Sequence, residues 1–372
     1  MKLSFLNNPI ETIFIEATKY CNLKCKICHL AGLQKKGLLP GISSFSKKEG
    51  HLSYRLFEKI INDLLKFENY KNIRINLSGG EPFLNPQIFK ILRHSQEYGL
   101  KIIIFTNGTC LKNEKDFQKI IKASPYMLIF PIDGSSSAHD TIRGNGNFKR
   151  VVNTILHLGK MKKNFKSENL KITVNVVINK LNVESFDKAI PLAQKLGCDM
   201  LFFTLVQWSD SLIIDTFIKE SRERFGAYKG RARIIEGIDH KLGILNSREI
   251  EKVITKINLI KRRVQQDFGF PIFFVPDLMH SNEIKAWFSR GCYKIDYCSN
   301  AFSQIRMDYN GNVYPGCVIS SALGNINKEP LEKILNGEKA KKFFNEIKTR
   351  GFFYICQRCC RRSPQSLILK NL

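Results

Sequence analysis

Residues 13–28 of this chain read IFIEATKYCNLKCKIC. The first six of them, residues 13–18, are mostly apolar and β-branched, which predicts a buried strand. Three cysteines, Cys21, Cys25 and Cys28, follow at spacings of four and three residues. They are therefore expected on a loop at the C-terminal end of a first strand, which is the end where parallel α/β folds gather their functional groups.

The three cysteines are suited to a metal cofactor. Three thiolates on one short loop can hold three corners of an iron–sulfur cube, and the fourth iron then keeps an open position. A zinc site with His29 as a fourth ligand stays open as an alternative, although zinc sites usually combine two Cys-x-x-Cys pairs or add several histidines. A disulfide is disfavoured because nothing in the chain indicates secretion.

Length and composition limit the class of protein. With 372 residues, 43% of them hydrophobic, the chain can build one large α/β domain and a smaller one. No run of 18 apolar residues is present, so no membrane span is predicted. The first eight residues are too short and polar for a signal peptide. Eleven cysteines without a secretion signal indicate the reducing cytoplasm, where clustered thiols bind metals more often than they form disulfides.

The chain is strongly basic. It has 59 Lys and Arg against 33 Asp and Glu, a net charge of +26, which favours anionic partners. The lysines are spread along predicted helices, as at residues 160–163 and 339–342. No nucleic-acid-binding motif is recognised. A solvated, lysine-rich surface is therefore favoured, and nucleic acid is not expected as a partner.

Six predicted strands alternate with helical patterns, which is typical of βαβ units and a parallel sheet. The strands are predicted at residues 13–18, 73–77, 101–106, 127–130, 172–178 and 200–206. Right-handed crossovers would curl this sheet into an open, partial barrel. Glycines and polar residues follow several of these strands, at residues 79–81, 107–108 and 133–134. Such one-ended clustering is expected of an active site on this architecture.

The Cys-x3-Cys-x2-Cys spacing after the first strand resembles the signature of the radical S-adenosylmethionine (radical SAM) family. In that family the open iron is chelated by the amino and carboxylate groups of S-adenosylmethionine. The resemblance implies that Gly79, Gly80 and Glu81 hold the amino end of this cofactor. Asn107, in Thr-Asn-Gly after the third strand, resembles a further cofactor-binding motif. One departure is Ile27, because the family usually has an aromatic residue just before the third cysteine.

A second group of motifs resembles the members with cysteine-rich C-terminal extensions. It comprises Asp133-Gly134, His139-Asp140 and Arg143-Gly144. Pro131 stands where the family usually has a serine or another small residue, which alters the expected ribose or carboxylate contacts. His139 is interpreted as structural rather than catalytic.

The C-terminal cysteines resemble the SPASM or twitch extension of radical SAM enzymes. Asn310-Gly311 between two alternating segments predicts a hairpin. The gap from glycine to cysteine is one residue longer than usual, and the later cysteines of a second auxiliary cluster are missing. The resemblance implies one auxiliary [4Fe–4S] cluster, and a zinc ribbon-like site is the alternative. Its ligands are predicted as Cys298, Cys317, Cys356 and Cys359, with Cys292 and Cys360 as substitutes.

The predicted fold is α/β, a partial (β/α)6 barrel of the radical SAM type with a small cysteine-rich α+β domain at the C-terminus. The barrel core is assigned to residues 1–208, a bridging region that completes it to residues 209–290, and the auxiliary domain to residues 291–372.

The resemblance also implies a chemistry. Reductive cleavage of S-adenosylmethionine gives methionine and a 5′-deoxyadenosyl radical, which removes a hydrogen atom from a substrate. Two [4Fe–4S] clusters, S-adenosylmethionine and a flavodoxin- or ferredoxin-like electron donor are expected. A cluster with four cysteine ligands has no open iron, which favours electron transfer and an oxidoreductase. No catalytic side chain is assigned.

Two substrate classes compete. A small carbohydrate, a cyclitol or a related metabolite is favoured, since peptide modifiers often carry an additional N-terminal domain and the first barrel strand here begins near residue 12. The alternative is a maturase that modifies a ribosomally made peptide. A non-catalytic iron–sulfur or zinc protein is a remote alternative, and the Gly-Gly-Glu motif and the barrel pattern argue against it.

Overall fold

The computed structural model describes residues 2–35, 49–226, 239–264, 268–277, 280–291, 298–316 and 321–359. A short hairpin precedes the main sheet and is formed by β1 (Ser4–Phe5) and β2 (Asn8–Pro9). The main sheet contains β3 (Thr12–Thr18), β4 (Arg74–Gly79), β5 (Lys101–Phe105), β6 (Met127–Pro131), β7 (Lys171–Ile178), β8 (Met200–Leu205), β9 (Ile272–Val275), β10 (Gln304–Met307), β11 (Asn312–Pro315) and β12 (Gly324–Asn325).

The helices lie mostly between these strands. They are α1 (His29–Lys35), α2 (Tyr54–Leu64), α3 (Ile88–Glu97), α4 (Glu114–Ala123), α5 (Ser136–Arg143), α6 (Asn147–Asn164), α7 (Ala189–Lys195), α8 (Ser211–Phe225), α9 (Ser247–Val264), α10 (Ser281–Phe288), α11 (Asn300–Ser303), α12 (Leu331–Asn336) and α13 (Glu338–Arg350). Helix α2 begins as its sequence predicts, because Ser53 Oγ accepts a hydrogen bond from the backbone N–H of Leu56 at 3.1 Å. Such a cap satisfies one of the free amides of the first turn.

Strands β3 to β9 are neighbours in chain order and pair in parallel. The prediction of a mostly parallel α/β sheet surrounded by helices is therefore confirmed. Each of the six predicted barrel strands is present, with ends that differ by no more than two residues. Among the described strands the sheet is open, since its edge strands β12 and β9 do not pair with each other.

The sequence predicts a short strand at residues 271–275 in the bridging region, and in the structure this strand, β9, joins the parallel sheet. Strand β9 pairs in parallel with β8, and aromatic rings fix this contact. Phe273 stacks on Phe202 and Phe274 stacks on Phe203, both with ring centroids 5.3 Å apart. The parallel run that begins with β3 thus has seven strands where six were predicted.

The C-terminal strands extend the same sheet. Strand β10 pairs in parallel with β3, with Ile305 opposite Ile13, and forms an antiparallel hairpin with β11. The turn predicted at Asn310-Gly311 is confirmed, and Gly311 has a φ of +83° that favours glycine. The hairpin of the predicted auxiliary domain is therefore hydrogen-bonded directly to the first barrel strand.

The two faces of the parallel strands are buried differently. On the outer face, apolar residues such as Ile75, Ile104 and Leu128 pack into the main core with the helices. On the inner face a separate small cluster is formed by Ile103, Met127, Ile129, Met200 and Phe202. Beside this cluster two polar side chains meet, and Asn175 Oδ1 accepts a hydrogen bond from Thr204 Oγ1 at 2.7 Å. Apolar side chains and a pair of polar ones thus share the inner face of strands β5 to β8.

Candidate active site

The three N-terminal cysteines lie where the sequence predicts them, on the loop between β3 and α1. Cys25 is buried, while Cys21 and Cys28 are half-buried. The loop is held by backbone hydrogen bonds: the N–H of Lys26 donates to Ile142 O at 2.9 Å, and the N–H of Gly32 donates to Cys28 O at 2.9 Å. The loop is therefore attached both to its own helix α1 and to the end of helix α5.

Gly79 and Gly80 hold the cysteine loop against the end of strand β4. The N–H of Gly80 donates to Thr18 O at 2.7 Å, and the N–H of Glu81 donates to Tyr20 O at 2.7 Å. A Cβ on Gly80 would lie 1.8 Å from Tyr20 O, and one on Gly79 would lie 2.4 Å from Thr18 O. Both glycines are therefore required by the close approach of two backbones beside Cys21. The structure thus gives them a packing role next to the predicted role in binding S-adenosylmethionine.

Glu81 is almost fully buried, with 1% of its surface exposed. Its Oε1 accepts hydrogen bonds from Thr106 Oγ1 at 2.7 Å and from the N–H of Phe83 at 3.1 Å. Its Oε2 accepts from the N–H of Asn107 at 2.7 Å. Burial raises the pKa of this carboxyl to about 7, against the opposing effect of these hydrogen bonds. Glu81 therefore joins the ends of strands β4 and β5, which carry two of the predicted cofactor motifs.

Hydrogen-bond donors approach the sulfur atoms of the loop. Cys21 Sγ lies 3.4 Å from the N–H of Leu23 and 3.8 Å from Asn107 Nδ2. Cys25 Sγ lies 3.9 Å from Arg143 Nη1. Donors to sulfur stabilise thiolates and tune the reduction potential of an iron–sulfur cluster. Asn107, predicted from the Thr-Asn-Gly motif, is thus placed beside a predicted cluster ligand.

Sequence reasoning missed two members of this network. Asn22 Nδ2 donates to Thr109 Oγ1 at 2.7 Å, and Asn107 Nδ2 donates to Asn22 Oδ1 at 2.9 Å. Thr109 Oγ1 in turn donates to Asn107 Oδ1 at 2.6 Å. These side chains fix Asn107 beside Cys21. Asn22 directly follows Cys21, and Thr109 directly follows the Thr-Asn-Gly motif, but neither is itself a motif residue, so the sequence gives them no mark of their own.

Burial affects the acidity of two thiols of the loop. Burial raises the pKa of Cys21 to about 12, and burial also raises the pKa of Cys25, although the guanidinium of Arg143 opposes that rise. Such thiols lose their protons when a metal binds. Buried sulfurs that already face polar donors fit an iron–sulfur cluster bound through three cysteines.

Zinc, the alternative at the first cysteine loop, requires closely spaced ligands. Ligands of one zinc ion lie within about 4 Å of one another, because each Zn–S bond is about 2.3 Å. Among the described residues, no group of three or more His, Cys, Asp or Glu side chains is arranged to hold a single ion. Cysteines on different corners of a cube stand farther apart than that.

The Asp133, His139 and Arg143 motif forms a buried cluster next to Cys25. Arg143 Nε contacts Asp133 Oδ2 at 2.5 Å, and the backbone N–H of Asp133 donates to His139 Nδ1 at 3.4 Å. Burial lowers the pKa of His139 to about 4, against the opposing charge of Asp133. His139 is therefore a neutral acceptor inside the fold, which agrees with its structural interpretation.

Two of the predicted auxiliary ligands lie on one turn near the barrel. Cys356 and Cys359 are joined by a hydrogen bond from the N–H of Cys359 to Cys356 O at 3.2 Å. Cys298 is half-buried at the start of the segment that leads into β10. Cys317 and the possible substitutes Cys292 and Cys360 lie outside the described residues.

Arg358, which sequence reasoning also missed, attaches that turn to the barrel. Its Nη2 donates to Ser289 O at 3.0 Å and to Gly291 O at 2.6 Å. Its guanidinium lies 4.7 Å from the ring centroid of Trp208, just beyond strand β8. Buried arginines with several carbonyl partners hold segments rigidly together. The turn that carries Cys356 and Cys359 is therefore positioned relative to the strand ends.

Within the described residues, no helix is both long enough and apolar enough to cross a membrane.

Comparisons with known proteins agree with this site. The model of the radical SAM superfamily matches residues 15–193, which include the cysteine loop and the strands up to β7. The model of the SPASM iron–sulfur cluster-binding domain matches residues 298–360, which include Cys298, Cys317, Cys356 and Cys359. The cofactor prediction is therefore confirmed at the level of the two domains.

Individual relatives cover different shares of the chain. The AdoMet-dependent heme synthase of Methanosarcina barkeri is 32% identical over 194 residues, which are 52% of this chain and 49% of that protein. The chain thus spans about half the length of the curated relatives that it matches.

Solved structures share the fold at lower identity. Streptococcus suis SuiB bound to the precursor peptide SuiA aligns with a TM-score of 0.61 and 13% identity, over 96% of this chain and 72% of that chain. The structure described as anSMEcpe with bound AdoMet aligns with a TM-score of 0.61 and 18% identity, over 96% and 92%. Residues 15–193 thus belong to the radical SAM superfamily, and residues 298–360 belong to the SPASM family of iron–sulfur cluster-binding domains.

Proposed function

We propose that this chain reductively cleaves S-adenosylmethionine at a [4Fe–4S] cluster held by Cys21, Cys25 and Cys28. The observation that carries the proposal is a loop with three cysteines at the open end of the parallel sheet, with polar donors facing two of the sulfurs. When bound, the cluster and S-adenosylmethionine supply a 5′-deoxyadenosyl radical that abstracts a hydrogen atom. The described protein groups supply position, because Glu81 and Asn107 tie the strand ends together around the cysteine loop.

The interior of the barrel is the proposed place of hydrogen abstraction. An apolar cluster lines part of its inner face, and Asn175 and Thr204 place an amide and a hydroxyl beside that cluster. An enclosed site keeps water away from a reactive radical. Neutral hydrogen-bonding groups beside an apolar cluster suit a small polar substrate that enters from the strand C-termini.

We infer that the reaction is an oxidation of a small carbohydrate-like or related metabolite. Four cysteines at the auxiliary cluster, Cys298, Cys317, Cys356 and Cys359, leave no open iron for substrate, so this cluster accepts an electron from the substrate radical. A flavodoxin- or ferredoxin-like protein is the proposed donor to the first cluster. The net charge of +26 supports an acidic donor and an anionic substrate.

A peptide substrate is the second candidate. SuiB, which shares the fold, is described in complex with a precursor peptide. The two candidates are distinguished by deuterium transfer. Only the true substrate, deuterated at the reacting carbon, transfers the label into 5′-deoxyadenosine. The probes for the first candidate are sugar phosphates. The probes for the second are short peptides that are encoded beside this gene.

The proposed function is tested on anaerobically reconstituted protein. We expect about eight irons per chain in two cubes, and formation of 5′-deoxyadenosine with dithionite as reductant. Changing Cys21, Cys25 and Cys28 together to Ala leaves about four irons and abolishes 5′-deoxyadenosine. The matched control is Cys198→Ala, because this buried cysteine lies outside the predicted metal sites, before strand β8. Stoichiometric zinc without visible absorbance, or no 5′-deoxyadenosine from the fully loaded protein, refutes the proposal.

A further inference from the structure

We propose that Arg143 raises the reduction potential of the cluster held by Cys21, Cys25 and Cys28, and that Asp133 fixes Arg143 in the position from which it acts. Arg143 is a positioning and tuning residue in this inference, not a catalytic one. The inference rests on the proposed function, since it requires a redox-active cluster on these cysteines.

The geometry places one guanidinium between a carboxylate and a cysteine sulfur. Arg143 is the last residue of helix α5, and its side chain is 13% exposed. Its Nε and Nη2 face the two oxygens of Asp133, at 2.5 Å and 3.4 Å. Its third nitrogen, Nη1, lies 3.9 Å from Cys25 Sγ. The planar group thus uses one side for the carboxylate and presents another to the sulfur.

Asp133 is itself held in place from several elements. It is fully buried, and its Oδ1 also accepts a hydrogen bond from the N–H of Val177 on strand β7 at 3.2 Å. Its backbone carbonyl accepts from Asn182 Nδ2 at 3.1 Å, and its N–H donates to His139 Nδ1. The carboxylate of Asp133 is therefore fixed in position, and Arg143, which pairs with it, keeps one orientation.

Arg143 remains charged in this position. A guanidinium keeps its positive charge in proteins, and here two of its nitrogens are paired with the carboxylate of Asp133. The ion pair has no net charge, yet its cationic end points at Cys25. The recorded donors to Cys21, by contrast, are the neutral N–H of Leu23 and the neutral amide of Asn107.

A fixed cation beside one ligand stabilises the reduced cluster more than the oxidised one. Reduction adds one negative charge, and hydrogen bonds to the sulfurs together with nearby charge raise cluster potentials. Low local polarity strengthens this effect, since Asp133 and Cys25 are both buried. Arg143 therefore makes the first cluster easier to reduce by its electron donor.

A backbone hydrogen bond also connects the cysteine loop to the end of helix α5. The N–H of Lys26, next to Cys25, donates to the carbonyl of Ile142, next to Arg143, at 2.9 Å. This bond fixes the distance between the cysteine loop and the end of helix α5. The contact between Arg143 and Cys25 is thus supported by both backbone and side chain.

The test is an anaerobic redox titration of the reconstituted full chain, followed by electron paramagnetic resonance. The first cluster is identified by the signal that changes when S-adenosylmethionine is added. Arg143→Met removes the charge and the donor. We expect at least tenfold less reduced cluster at a given potential, a negative midpoint shift of at least about 59 mV for one electron. Arg143→Lys keeps the charge without the two-sided contact, so its shift is smaller.

A second variant guards against loss of folding. Arg143→Met alone leaves the buried carboxylate of Asp133 without its counterion, which is costly. The double variant Asp133→Asn with Arg143→Met removes both charges, while an amide oxygen remains to accept from Val177. It is also expected to show a negative shift at full iron content, but a smaller one, because the negative charge of Asp133, which opposes the effect of Arg143, is removed with it. Arg150→Met is the matched control, because Arg150 is exposed on the next helix and its loss changes the net charge equally.

The outcomes are distinguishable. An unchanged midpoint in the double variant at full iron content overturns the inference. A shift of equal size in Arg150→Met overturns it as well, since net charge alone would then explain the effect. A wild-type chain that binds no cluster, or forms no 5′-deoxyadenosine, instead refutes the proposed function.

Discussion

Replacing Gly80 by Ala tests whether the Gly-Gly-Glu motif holds the cysteine loop in place. A Cβ at this position would lie 1.8 Å from Tyr20 O, and the next two contacts, at 2.4 Å and 3.0 Å, are also backbone atoms of Tyr20. Backbone cannot turn away as a flexible side chain can. The cysteine loop and the end of strand β4 must therefore separate.

The size of the effect follows from these distances. Contacts of Cβ atoms shorter than 3.0 Å are essentially never seen, so the two backbones must move apart by about 1.2 Å. The same movement lengthens the 2.7 Å hydrogen bond from the N–H of Glu81 to Tyr20 O to about 4 Å, which breaks it. Strain of about 1–3 kcal/mol and a lost buried hydrogen bond of about 1–3 kcal/mol together give about 2–6 kcal/mol.

The assay is urea unfolding of the cluster-free chain, followed by iron analysis after reconstitution. We expect Gly80→Ala to lower the free energy of unfolding by about 2–6 kcal/mol and to reduce the iron bound by the first site. Gly159→Ala is the matched control. A Cβ there meets only Leu196 O at 3.8 Å, an ordinary contact inside helix α6. Alanine in a helix interior is more stable than glycine by about 0.5–1 kcal/mol, so Gly159→Ala should raise the free energy of unfolding where Gly80→Ala lowers it.

Two results would refute this reasoning. One is a free energy of unfolding for Gly80→Ala within about 0.5 kcal/mol of the wild type, the ordinary range for harmless surface changes. The other is full destabilisation with an unchanged iron content, because the motif would then support the sheet but not the cysteine loop.

Three further predictions follow from the site. Glu81→Gln exchanges one accepting oxygen for a donor, so S-adenosylmethionine binding measured by equilibrium dialysis should weaken about tenfold at unchanged iron content; unchanged affinity contradicts the assigned role. Replacing Cys356 and Cys359 by Ala should abolish the oxidised product while 5′-deoxyadenosine continues to form, and normal product formation would make the auxiliary site structural. His139 has a pKa lowered to about 4, so between pH 6.5 and 4 the unfolded chain binds a proton that the folded chain does not, and stability falls on acidification. In acid unfolding of the cluster-free chain, His139→Asn should reduce the dependence of the free energy of unfolding on pH by about 1.4 kcal/mol per pH unit. His157→Asn, at an exposed histidine, should leave that dependence unchanged, and equal slopes in both variants would contradict the pKa shift of His139.

The local sequence determined where the strands lie and which kind of metal cofactor the cysteine loop is suited to. The apolar runs of residues 127–130 and 172–178 predict strands that the structure contains as β6 and β7. The spacing of Cys21, Cys25 and Cys28 indicated a cluster-binding loop before any contact was known. Such features follow from neighbouring residues alone, because strand patterns and cysteine spacing are set over fewer than ten positions.

The partners of those elements were decided by tertiary structure. Strand β9 was left in a bridging region by its sequence, since a four-residue apolar run is too short to reveal which strand it pairs with. Strand β10 lies beside β3, almost three hundred residues earlier in the chain. Strand order depends on how the connecting segments cross the sheet, and no local pattern encodes it.

The chemical environment of the cysteines was decided in the same way. Arg143 reaches Cys25 across 118 positions, and Asn22 reaches Thr109 across 87. The sequence singled out Arg143 only as part of a motif, and it gave Asn22 and Thr109 no distinguishing mark. Cysteine spacing is a property of one loop. A hydrogen-bond donor to a buried sulfur, by contrast, comes from whichever strand end the fold brings within hydrogen-bonding distance. That distance exists only after the sheet has formed.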